Sequence, residues 1–419
     1  MKILLIAVGT RGDVEPFLAI AELLQARGHE ITCCFPEQFR SLADDSRFEF
    51  FGLSAAFLDL IGSDDGKMAM GGKGSFFKKI GAYFRLYKEG SRINKILCEQ
   101  QYELIRRIKP DRIVYHIKAM YPLIWETQNV GKTILVSPIP YIIHPVDNHA
   151  HVGLGNNLGK FINQLTYSVA NYGLLKNVLS VTKAFRGSPK ISSQQVGHAL
   201  KKTKMIYTVS PFIFSKPASW PDHVNILGYH ERNKMVNWEA DERLKKFIAT
   251  HNKLLFVTFG SMVNDAPQQK TKIILDILHK NKIPAIINIA SGGLVQPEQY
   301  DTDLFYFVNR IPYEWVFPKI HAVIHHGGSG TTHMAIKYGC SSLIIPHIID
   351  QFLWNDLVRN LNLGPKGIAM KNLTHQKIGS LIVDLYNNDS YKKNTLQLAK
   401  KMNKEDFKET LYEIISKET

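Results

Sequence analysis

The chain has 419 residues, 45% of them hydrophobic and 21% charged, which fits two globular domains with cores of their own and excludes a disordered chain. The formal net charge of +15 favours anionic partners. No RNA-binding signature, zinc-finger spacing or long basic tail accompanies it, so nucleic acid is not an expected partner.

The N-terminus reads MKILLIAVGTRGD. Its apolar run is short and ends in a turn, which marks a first strand rather than a signal peptide. Further strands are expected at Glu30–Phe35, Glu49–Leu53, Arg112–His116, Thr133–Ser137 and Ile206–Ser210. Each is continuously apolar, as in strands covered on both faces. Helical patterns intervene at Glu15–Ala26, Gln38–Asp44, Ile93–Ile108 and Tyr121–Gln128. Strand–helix alternation implies a doubly wound parallel sheet, so the fold class is α/β. The polar segment Ser215–His223, with two prolines, reads as a linker. Residues 1–215 then form one domain, 216–224 the connection and 225–404 a second domain. The second has strands at Lys253–Phe259, Ala285–Ile289, Leu304–Val308, Ala322–His325 and Ser342–Ile345. Helices are expected at Lys270–His279 and Thr331–Tyr338, and a charged helical tail runs from His375.

Four cysteines (Cys33, Cys34, Cys98 and Cys340) suggest neither a disulfide framework nor a CxxC site, as for reduced thiols in a cytoplasmic protein. No apolar run is long enough to span a membrane. Two stretches stand outside the alternating scheme. Lys67–Asn94 mixes Phe76, Phe77, Tyr83, Phe84 and Tyr87 with lysines and arginines, and Leu158–Phe185 is long, amphipathic and poor in acids. Each reads either as a helix with a solvated basic face, or as an apolar substrate wall or a contact with the inner surface of a membrane.

The densest chemistry lies in HHGGSGTTHMAIKYGCSSLIIPHIIDQFLWN, from His325 to Asn355. The HGGSG loop follows a parallel strand and opens a helix at Thr331, which makes a natural anion site. Gly327, Gly328 and Gly330 would let a phosphate approach the backbone. Ser329 and Thr331 add hydroxyls, and His326 adds a donor able to carry charge. After the next strand, a loop brings Asp350 and Gln351 to the same sheet edge, an acceptor-rich pair suited to sugar hydroxyls. A metal site of His325, His326, His333 and His347 fits poorly, because no HExxH spacing exists. A Walker loop needs GxxxxGK(S/T), and a dinucleotide fold needs GxGxxG after the first strand. Neither is present.

The segment resembles the nucleotide-sugar signature of family-1 glycosyltransferases, in the branch of the sterol glucosyltransferases and the antibiotic-aglycone glycosyltransferases. Three more runs carry the likeness: Gly9 to Phe17 (GTRGDVEPF), Phe259 to Met262 (FGSM) and Ile311 to Pro318 (IPYEWVFP). The resemblance implies a GT-B fold of two Rossmann-like domains facing a cleft, with the acceptor in the first, the donor in the second, and a tail from about residue 405 crossing back onto the first. It also implies inverting, metal-independent hexosyl transfer from a nucleotide sugar, UDP-glucose ahead of a dTDP-sugar, to a lipophilic hydroxyl compound such as a sterol, terpenoid, polyketide or phenolic, with no cofactor.

On this likeness Asp13 is the base. A helix N-terminus favours its ionised form, so it would be a weak base that takes its proton late in the attack. Gly12, Gly260, Ser261, His326, Gly328, Ser329, Gly330 and Thr331 would contact the diphosphate, and Arg310 and Ile311 the nucleobase. Asp350 and Gln351 would hold the sugar. Phe76, Phe77, Phe84 and His144 are the acceptor-side candidates. A nucleotide-sugar 2-epimerase and a non-catalytic nucleotide-sugar-binding protein are the rival readings.

Overall fold

The structure is a computed structural model. It describes all residues except 45–47, 64, 66–75, 155–156, 184–186, 233–237, 265 and 418–419, and it leaves out the side chains at 44, 61–62, 76–84, 87 and 291. The chain forms two compact units, one of residues 1–232 and 406–419, the other of residues 233–405.

The first unit is built on β1 (Lys2–Ile6), β2 (Glu30–Pro36), β3 (Glu49–Leu53), β4 (Arg112–His116), β5 (Thr133–Ser137), β6 (Lys204–Tyr207) and β7 (Val224–Ile226). They form a parallel sheet in the order β3-β2-β1-β4-β5-β6-β7. The helices that matter below are α1 (Arg11–Ala26), α2 (Phe76–Ile108) and α3 (Lys160–Thr182). β1, β4 and β5 bury nearly every side chain, which explains why they read as unbroken apolar runs, while the edge strand β3 buries only Leu53. The chain winds outward from β1 through β2 to β3, then returns to lay β4 on the other side of β1. That reversal opens a crevice at the carboxyl ends of β1 and β4.

The second unit repeats the plan with β8 (Leu255–Thr258), β9 (Ala285–Asn288), β10 (Phe305–Val308), β11 (Ala322–His325) and β12 (Ser341–Ile344). Their order is β10-β9-β8-β11-β12, all parallel, so the reversal lies between β8 and β11. Two helices, α4 (Ser329–Lys337) and α5 (Ile349–Asn360), follow β11 and β12.

The expected linker is in fact part of the first unit. Trp220 is buried against Tyr207 and Phe214, and its Nε1–H donates to the Pro145 carbonyl at 2.8 Å. β7 follows and pairs with β6. Arg232 is tied back as well, at 2.6 Å from Glu22 and 3.0 Å from the Leu42 carbonyl. Prolines and polar residues suggested a loop, but the tryptophan supplies the apolar area that holds the segment down. At the other end of the chain, α6 (Lys408–Ser416) buries Leu411 and Ile415 in the first unit's core, and Arg27 pairs with Glu409 at 2.5 Å.

Candidate functional site

At the first reversal, α1 starts at Arg11, earlier than the expected Glu15, so Asp13 occupies its third position and Gly12 its first turn. Asp13 is buried. Its Oδ2 accepts the Thr10 backbone N–H at 2.7 Å and the Thr10 hydroxyl at 3.1 Å. Lys118, just past β4, reaches both carboxylate oxygens at 3.1 Å. His116, the last residue of β4, places Nε2 at 3.4 Å from Oδ1. A Cβ on Gly9 would overlap the Asp13 carboxylate and come within 2.9 Å of the Lys118 ammonium, so the turn must be glycine at that point.

Burial by itself would push the Asp13 carboxyl up. Lys118, His116 and the Thr10 N–H together outweigh burial and hold it below the ordinary carboxylate range. His116 goes the other way. Burial, aided by Lys118 and opposed by Asp13, brings it down to about 4, so its imidazole is neutral at pH 7. The local charge balance is one carboxylate against one ammonium. Neither His116 nor Lys118 was among the expected site residues. The signal was available in the topology, because the strand that returns beside β1 must deliver its C-terminal residues to Asp13.

At the second reversal, Gly260 and Ser261 follow β8 and the His326–Thr331 loop follows β11. Gly260 lies at φ +57°, a left-handed conformation. A Cβ there would stand 2.7 Å from His326 Cε1, and one on Gly328 would stand 2.5 Å from His326 Nε2. These two glycines therefore make room for a protein side chain rather than for a phosphate. The imidazole is wedged between the β8 and β11 loops, with Nδ1 buried and unpartnered among the described residues. Burial first, then His325 and His347, push His326 well down. Of the two states open to a donor able to carry charge, burial favours the neutral ring. Burial lowers His325 to about 3 and His347 to about 4, the latter helped by the Lys270 ammonium.

What remains for an anion is the N-terminus of α4 with its dipole, the hydroxyls of Ser329 and Thr331, and the backbone at Gly330. Ser261 is exposed beside it. Arg310 is exposed and Ile311 buried in the segment after β10, at the same edge of the sheet. The other histidines brace structure. His325 Nδ1 accepts the Gly327 N–H at 3.1 Å. His333 sits 2.8 Å from the Ser329 carbonyl and edge-on to Trp354. His347 Nε2 lies 2.9 Å from Asn264 Oδ1, which links the loops after β12 and β8. Among the described residues no group of three His, Cys, Asp or Glu side chains could hold a metal ion.

Asp350 and Gln351 were expected in a loop, but both lie in the first turn of α5. Gln351 is buried, and its Oε1 accepts the N–H groups of His347 at 2.7 Å and Ile348 at 3.1 Å. That oxygen caps the helix and is not open to a sugar. Asp350 is half-buried beside it. On the acceptor side, His144 is half-buried. Its Nδ1 lies 3.2 Å from the Tyr207 hydroxyl, Trp220 packs at 5.3 Å, and burial lowers its pKa to about 4. His149 stacks on Tyr141 at 4.5 Å, and His151 packs edge-on to Tyr167. All three histidines knit the loop together. Phe76, Phe77 and Phe84 belong to α2, but their side chains lie outside the described residues.

Residues 3–108 match the glycosyltransferase family 28 N-terminal domain, and residues 303–414 match the C-terminal domain of erythromycin biosynthesis protein CIII-like proteins. A sterol 3-beta-glucosyltransferase of Arabidopsis thaliana is 27% identical over 97% of this chain and 66% of its own length. One from Saccharomyces cerevisiae (strain YJM789) is 23% identical over 96% of this chain and 34% of its own. The chain thus spans just under two thirds of the plant relative and about a third of the yeast one. Among solved structures, a calicheamicin glycosyltransferase superposes with a TM-score of 0.70 at 14% identity, covering 99% of this chain and 98% of its own. The Streptomyces sp. SF2575 glycosyltransferase SsfS6, complexed with thymidine diphosphate, gives 0.61 at 15% identity and 99% coverage of both chains. At these identities the likeness to solved structures carries the fold alone: the chain has the GT-B fold, and its two domain matches and the sterol relatives make it similar to glycosyltransferases.

Proposed function

We propose that the chain transfers a hexose from a nucleoside diphosphate sugar, UDP-glucose first, to a hydroxyl of a lipophilic acceptor such as a sterol, with inversion and without a metal. The observation that carries this reading is the ionised, buried Asp13 at the first unit's sheet reversal. The N-terminus of α4 at the second unit's reversal supports the reading of a donor diphosphate bound there.

In the reaction the acceptor oxygen attacks the anomeric carbon, its proton passes to Asp13, and the bond to the diphosphate breaks with its electron pair on the leaving oxygen. A carboxylate held below the ordinary range is a weak base. It receives the proton once bond formation has made the hydroxyl acidic. Lys118 keeps the carboxylate ionised and in place until then. The α4 N-terminus and the hydroxyls of Ser329 and Thr331 offset the charge gained by the departing diphosphate. Neutral His326 braces the β8 and β11 loops beside it. Arg310 stacks on the nucleobase, with the Ile311 backbone alongside it. Asp350 holds sugar hydroxyls. Because lipophilic acceptors reside in membranes, the reading includes a peripheral membrane contact.

The test is incubation with UDP-glucose or dTDP-glucose and a panel of sterols and polyphenols, followed by mass spectrometry and anomeric analysis. A β-glycoside formed from the α-linked donor is the expected product. Isomerisation of the nucleotide sugar without acceptor would identify an epimerase instead, and neither product would leave a binding protein.

A further inference from the structure

Helix α3 is apolar on two opposite sides. Asn163, Tyr167, Val178 and Val181 are buried in the first unit. At roughly 100° per residue, Phe161, Ile162, Leu165, Val169 and Tyr172 fall within one sector on the other side. All five face water, with Phe161 80% and Val169 63% exposed. The stripe runs about 17 Å along the helix, and Leu154 and Leu158 before the helix are exposed as well. A contiguous apolar surface of this kind marks an interaction site.

Charge says with what. From Asn148 to Pro221 the sequence holds nine lysines and arginines and no aspartate or glutamate. Lys176, exposed at the end of the stripe and in its sector, lies 5.1 Å from the Tyr172 ring, while Lys160 just before the stripe pairs with Asp147 at 2.9 Å. Two copies meeting through this face would bring like charges together, whereas an anionic lipid surface would neutralise them.

We propose that the exposed face of α3 from Phe161 to Tyr172 docks on an anionic bilayer. The apolar side chains enter the boundary between headgroups and acyl chains, and Lys176 meets lipid phosphates. The inference rests on the membrane contact included in the proposed function and names its surface; docking needs neither donor nor acceptor, so its failure would leave the transfer reaction untouched.

Co-sedimentation of the full chain with phosphatidylcholine vesicles, with and without phosphatidylserine, tests it. Binding should require phosphatidylserine and weaken with salt. The double variant Phe161→Ser, Leu165→Ser should bind at least about tenfold more weakly, given the apolar area removed. Its thermal unfolding midpoint should hold, since both side chains already face water. Absence of phosphatidylserine-dependent binding, or equal binding by the variant, would overturn the proposal. So would self-association in sedimentation velocity that the double variant abolishes, which would assign the stripe to a second copy of the chain.

Discussion

The two sheet reversals share one architecture and differ in electrostatics. At the β1/β4 reversal a buried carboxylate stays ionised because an ammonium and two Thr10 donors surround it. At the β8/β11 reversal two buried histidines, with half-buried His347 from the loop after β12, are kept neutral, and any anion must be held by helix N–H groups and hydroxyls. The first arrangement suits moving a proton. The second suits gripping a group whose charge grows during reaction, because fixed dipoles need no reorganisation. On the proposed reading the same strand order would serve two tasks according to which side chains end the strands.

The contrast breaks most visibly at Asp13. Asp13→Asn keeps the size of the side chain and removes its basicity, so transfer should fall about 10³-fold in steady-state assays. Lys118→Met should act more mildly and in a different way. With the ammonium gone, burial dominates and the Asp13 pKa rises. The acid limb of the pH–rate profile should move up by about one pH unit. An unmoved limb would deny Lys118 its role. The sign for stability follows from the lowered carboxyl. What the Asp13 contacts contribute is present above the ordinary carboxylate range and is lost as pH falls through the folded value. Lys118→Met should therefore reduce the loss of stability on acidification.

Gly328→Ala probes the other region. Its methyl group would displace the His326 ring, and binding of the nucleotide sugar should weaken about tenfold by calorimetry. In the unmodified protein, affinity for the nucleotide sugar should hold from pH 5.5 to 7.5, because a neutral His326 has no proton to lose there. A fall through the usual imidazole range would mean the ring is charged when donor binds. Smallest is Gln351→Ala, which removes the α5 cap and should cost about 1 kcal/mol in a denaturant titration.

The strands were legible in the sequence, and four of them match residue for residue: Glu49–Leu53, Arg112–His116, Thr133–Ser137 and Ala322–His325. Burial on both faces leaves an unbroken apolar run that few other elements imitate. The glycine-rich loop after β11 was legible too, although its glycines serve His326. Local patterns show that space is needed but not what fills it. β7 escaped because three residues between a proline-rich turn and a glycine carry too little pattern. The α5 start escaped because Ile348 is not a capping residue type, and its N–H is satisfied by Gln351 further along. His116 and Lys118 escaped for a deeper reason. Lys118 lies 105 residues from Asp13, and only the pairing of β1 with β4 brings them together.

The division of labour between the two reversals is tested most directly by titrating the donor nucleotide sugar into the Asp13→Asn variant. The account predicts affinity within about twofold of the unmodified protein, alongside lost transfer, because Asp13 serves the acceptor and α4 holds the diphosphate. Donor affinity that falls in step with transfer, in a variant that melts at the normal temperature, would contradict it.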